Sequence, residues 1–84
     1  MERYTQHSRT GWQVPEGLEQ AAAERLAHFE DAYEDIRSKQ ARLEEQMEPL
    51  RAAGKQKSVR FRELLGEKLM LQQMVMILES HGLT

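Results

Sequence analysis

The chain has 84 residues, 39% of them hydrophobic and 6% aromatic, with a net charge of −2. That is too apolar for a fully disordered chain, yet so short that a single copy buries only a modest core. The absence of cysteine excludes disulfides and cysteine-based metal or redox sites. The net charge hides an asymmetry: Glu16 to Glu48 holds ten acidic and four basic residues, whereas Arg51 to Lys68 holds six basic and two acidic. The chain is therefore acidic along its first half and basic around one segment.

Residues 1–14 are expected to form a flexible or extended arm. Thr5, Ser8, Thr10 and Gly11 show no sustained period, and Trp12 and Val14 are the apolar exceptions. The polar run Met1 to Gly11 lacks the apolar core of a secretory signal. A soluble, cytoplasmic protein is the corresponding expectation.

Residues 15–84 are expected to form an all-α, coiled-coil-like antiparallel hairpin of two helices, the first over about 15–53. Pro15 suits the first position of a helix, where no amide donor is needed. Glu16 and Glu19 suit the positive end of its dipole. From Ala22 the residues Ala22, Leu26, Phe29, Tyr33, Ile36, Gln40, Leu43, Met47 and Leu50 alternate spacings of four and three, an a/d heptad seam held for about four repeats. Gln40 is its one polar member and a candidate register-setting residue. Pro49 removes the amide bond back to Glu45, so the helix either ends near Glu48 or kinks and continues toward Ala53. The seam runs on through Leu50, which favours continuation. Gly54 then suits the residue just past the helix end.

A linker over about 54–57 is short enough to make the two helices antiparallel neighbours. Ser58 is the expected N-cap of a second helix reaching about residue 81, with Gly82 as its terminator. Phe61, Leu64, Leu71, Val75 and Leu78 form a seam that can face the first helix. Leu65, Leu69 and Met76 flank it on one side, and Met70, Met74 and Ile77 on the other. One partner helix cannot cover all three stripes. Leaving such side chains in water forfeits about 1.5–3 kcal/mol for each. The simplest remedy is a homodimer, with two hairpins forming a four-helix bundle; a foreign helix is the other candidate partner. If the chain reverses near Ala53, Phe61 lies opposite Leu43 to Met47. The first helix then overhangs the second at its start, where Ala21, Ala22 and Ala23 can pack on a second subunit or on a folded-back Trp12 arm. The longest apolar stretch, Leu69 to Leu78, is interrupted by Gln72 and Gln73. It falls short of the roughly 20 residues a bilayer requires, so no membrane association is expected.

Arg51, Lys55, Lys57, Arg60 and Arg62 cluster around the linker as a candidate anion-binding group. Arg60 and Arg62 oppose the dipole of the helix they begin, and with its first amides they suit a phosphate or carboxylate. Nucleic acid is one such ligand, although a net acidic chain with no aromatic free for stacking favours it less than a solvated charge cluster paired with Glu44, Glu45 or Glu48. Gly54-Lys55 and Lys57-Ser58 lack the spacing and preceding strand of a phosphate-binding loop. Glu24, His28, Asp31 and Asp35 share a helical face at metal-ligand spacing, but off the apolar seam, so no metal and no cofactor is assigned. His7 and His81 have no identifiable ligand partners. Met47, Met70, Met74 and Met76 are read first as core filling and second as an adaptable binding surface. The leading expectation is a non-catalytic interaction or assembly module acting as a homo-oligomer. A nucleic-acid-associated regulator using the basic turn comes second. A small helical enzyme acting on an anionic substrate, through Gln40, Lys68 and Arg62 or Glu63, comes third.

Overall fold

The computed structural model describes residues 1–84. Two short strands, β1 (Gln6–Ser8) and β2 (Gly11–Gln13), precede two helices, α1 (Glu19–Ala52) and α2 (Val59–Ser80). The fold is thus an all-α antiparallel hairpin carrying a small two-stranded N-terminal element. The chain divides into two compact units, Met1–Tyr33 and Glu34–Thr84.

In the first unit the expected flexible or extended arm takes the form of a β-hairpin, paired antiparallel with Gln6 opposite Gln13, His7 opposite Trp12 and Ser8 opposite Gly11. Arg9 and Thr10 form the turn, and the Ser8 hydroxyl braces it by donating to the Gly11 carbonyl at 2.9 Å. Across the ladder the His7 and Trp12 rings meet edge to face, with centroids 5.0 Å apart, and Arg3 lies over the Trp12 ring at 5.1 Å. Cross-strand pairs of this kind stabilise a ladder too short to hold alone.

Pro15 is not the first residue of a helix. The Leu18 amide donates to the Pro15 carbonyl at 3.1 Å, closing a turn. Its third residue, Gly17, takes φ +88°, as a type II turn demands. Helix hydrogen bonding begins only with Ala22 donating to Leu18 at 2.9 Å. The Glu19 carboxylate accepts from the Gly17 amide at 2.9 Å, placing negative charge at the positive end of α1. The arm touches α1 through Tyr4 rather than Trp12. The Arg25 guanidinium lies 3.7 Å from the centre of the Tyr4 ring and donates to the Glu2 carbonyl, while Trp12 remains 63% exposed. Phe29 and Tyr33 are half-buried and stack on one another at 6.5 Å.

In the second unit α1 continues through Pro49 to Ala52. Pro49 sits in the last turn, where only its bond to Glu45 is lost, and its own carbonyl accepts from Ala53 at 3.0 Å. The helix then stops at Gly54, whose φ of +70° favours glycine. The Gly54 amide donates to Arg51 at 3.1 Å and the Lys55 amide to Leu50 at 2.8 Å, satisfying carbonyls the helix end would leave open. Four residues later Ser58 caps α2 in an extended conformation, its hydroxyl accepting from the Phe61 amide at 3.1 Å. A cap of this type contributes about 1 kcal/mol. At the far end Gly82 donates to Glu79 and Leu83 to Leu78, the same closing pair that ends α1.

The two helices meet in a core of Leu43 and Met47 from α1 with Phe61 and Leu64 from α2; Leu50 and Leu71 pack at its edge. Met47 and Leu64 are fully buried. Phe61 therefore lies where the heptad register places it, against the Leu43–Met47 turn. The seam of α2 continues through half-buried Lys68, Leu71 and Leu78 and buried Val75. On α1 the seam positions Ile36, Gln40 and Leu50 are half-buried. Leu26, farther up the same stripe, is 56% exposed.

Candidate interaction surface

Burial on α2 recurs at spacings of three and four, as one neighbouring helix requires. In the C-terminal half of α2 the residues between are mostly apolar. Over the ten positions from Leu69 to Leu78 there is no charged side chain, and Gln72 and Gln73 are the only polar ones. All six flank residues are exposed: Leu65, Leu69 and Met76 beside one edge of the seam, Met70, Met74 and Ile77 beside the other. The least exposed is Leu65 at 37% and the most exposed Met70 at 61%. Val59, at the first position of α2, is also open to solvent. Grouped exposed apolar side chains of this kind mark contact surfaces.

Beside the Met70 flank lies a groove of ≈ 400 Å³, with Lys39, Arg42 and Gln46 on its α1 wall and Glu67, Met70 and Leu71 on its α2 wall. Sequence patterning does not expose this groove, since it depends on how closely two particular helices approach.

The structure divides the five basic residues of the turn. Arg51 is paired: its guanidinium lies 2.9 Å from Glu48 and 3.6 Å from Glu44, and 5.8 Å from the Phe61 ring centroid. Arg60 donates across the hairpin to the Gln46 side-chain oxygen at 3.0 Å and lies 3.6 Å from Glu63. Lys55, Lys57 and Arg62 make no ion pair. The turn is thus partly neutralised, by Glu44 and Glu48, two of the three carboxylates expected, and by Glu63, which was not; Glu45 makes no ion pair and Gln46 adds a neutral hydrogen bond.

Glu44 is the electrostatic centre of the hairpin. Its carboxylate accepts from Lys68 at 2.5 Å. The hydrogen bond from Lys68, helped by the nearby charges of Lys68 and Arg51, holds the Glu44 carboxyl below its ordinary value against a smaller opposing effect of burial. Lys68 occupies a seam position but keeps its ammonium at the rim, as long amphipathic side chains do. Gln40 accepts from Arg37 at 3.0 Å. Glu24, His28, Asp31 and Asp35 do not gather into a group that could hold a metal ion; Asp35 instead pairs with Lys39 at 3.0 Å. No helix is long and apolar enough to cross a membrane.

No protein-family model, curated protein or solved structure matches this chain.

Proposed function

We propose that this chain is a non-catalytic interaction or assembly module that works as a homodimer, two hairpins packing through the outer sides of α2 into a four-helix bundle. The observation that carries the reading is the exposure of large apolar side chains on both flanks of a helix whose seam is already occupied. Burying any one of them fully contributes about 1.5–3 kcal/mol, so covering several favours association even after the entropic cost of bringing two chains together. A cytoplasmic setting is part of the same reading.

Solution mass by light scattering, from low to high micromolar, tests it. A mass twice that of the chain, reached with rising concentration, is the expected result. A well-folded monomer at every concentration overturns the homodimer and leaves the flanks to a foreign helix.

A second reading rests on Lys55, Lys57 and Arg62, the three cations without ion-pair partners. A nucleic-acid-associated regulator using them would lose affinity steeply with salt and would fail when all three become alanine. The carboxylates already paired with Arg51 and Arg60 count against it.

A further inference from the structure

One exposed stripe of α2 is self-complementary when the helix is turned end over end. Arg62, Leu65, Leu69, Gln72, Met76 and Glu79 follow one another at alternating spacings of three and four, so they form a single heptad line beside the buried seam. All six are exposed. The line begins with a cation and ends with an anion, and its middle is apolar but for Gln72.

Both charges sit at the wrong end of their own helix. The first turn of α2 carries no acid and its last turn no base, whereas the dipole favours the reverse. Neither Arg62 nor Glu79 makes an ion pair within the chain.

We infer that the partner is a second copy of this chain, docked with its α2 antiparallel along this stripe. The inference rests on the homodimer reading above and gives it a contact surface and a direction. In the register that overlaps the stripe completely, Arg62 faces the partner's Glu79, Leu65 faces the partner's Met76, and Leu69 faces the partner's Gln72. A two-fold axis between Leu69 and Gln72 makes each pairing occur twice, as an isologous interface requires. The misplaced charges then become favourable, because each basic N-terminal turn lies against the acidic, dipole-negative end of its neighbour. Parallel docking would instead set Arg62 against the partner's Arg62 and Glu79 against the partner's Glu79. Gln72, the polar member of the line, lies close to the axis, where its amide can meet the same amide of the second copy and fix the register.

The lack of cysteine allows a clean test by disulfide trapping. Leu65→Cys and Met76→Cys are made as separate full-length chains. Each is checked for dimeric mass under reducing conditions, then oxidised in a glutathione buffer alone and as an equimolar mixture. In the antiparallel register, positions 65 and 76 of different copies share a layer, whereas two copies of position 65 lie about 16 Å apart along the helix axis, beyond disulfide reach. The expected result is a covalent dimer from the mixture and none from either chain alone. Self-linking of a single variant overturns the antiparallel direction while leaving the homodimer intact. A dimeric mass with no linking in any arm overturns the stripe as the contact surface. A monomeric wild-type mass overturns both readings together. As a second measurement, Arg62→Glu and Glu79→Arg are each expected to raise the dimer dissociation constant about tenfold, and the double swap to restore it; a swap that weakens binding further overturns the pairing.

Discussion

The two sides of α2 are built from the same kinds of residue and have opposite fates. Phe61, Leu64 and Val75 are buried, whereas Leu65, Leu69 and Met76, each one or a few positions along, stand in solvent. Composition does not separate them; a facing helix does. α1 supplies Leu43 and Met47 to one side, and nothing in the chain covers the other. The buried side thus sets the stability of the hairpin, and the open side is the surface to which we assign the proposed association.

Breaking each side separately should give two different signatures. Leu64→Ala removes a fully buried side chain and is expected to cost about 2–5 kcal/mol, read as a lower urea midpoint that persists on dilution. Leu69→Glu should leave the helical circular dichroism of the dilute hairpin almost unchanged. It is expected to raise the dimer dissociation constant roughly 100-fold, because a carboxylate must be desolvated at the contact; unchanged self-association would show that the open side is not the interface. The smallest expected effect sharpens the account of the inner side. Glu44 has a lowered folded-state pKa, owed first to its hydrogen bond with Lys68. Its contribution is therefore complete above the unfolded-state value and is lost as pH falls through the lowered folded value. Thermal melts of wild type and Glu44→Gln should differ at neutral pH and converge in acid. A difference that persists in acid would mean that Glu44 acts through packing instead.

Much of the inner side could be read from the chain. An a/d period fixes which way Leu43, Met47, Phe61 and Leu64 point, and Ser58 and Gly54 are local signals whose geometry needs only neighbouring residues. The period is silent about cover. Leu26 obeys it and is 56% exposed, because heptad position records direction and not the presence of a neighbour. The β-hairpin escaped for a different reason: strands of three residues are too short to show alternation. Pro15 looked like a helix start because the positive φ required at Gly17 delays the helix to Glu19. Among the candidate site residues, pattern places all six apolar flanks off the seam, and they are exposed in the single chain. The fate of Arg60 could not follow from it, since its contact with Gln46 depends on rotamers and on the register between helices, whereas Arg51 meets Glu44 and Glu48 along its own helix.

The reversal at Gly54 and Ser58 also bears on the order in which the molecule is made. The backbone and capping bonds of the turn itself join residues at most five positions apart, so the chain turns back on itself without a long search through its conformations. Closing a loop of this size takes on the order of 10–100 ns, and helix growth is comparably rapid. Joining two chains, by contrast, waits on diffusion and slows with dilution. Stopped-flow refolding should therefore show an early unimolecular phase, independent of protein concentration, followed by a bimolecular one that is not. The unit that finds its partner would then be a finished hairpin, and assembly a meeting of preformed parts.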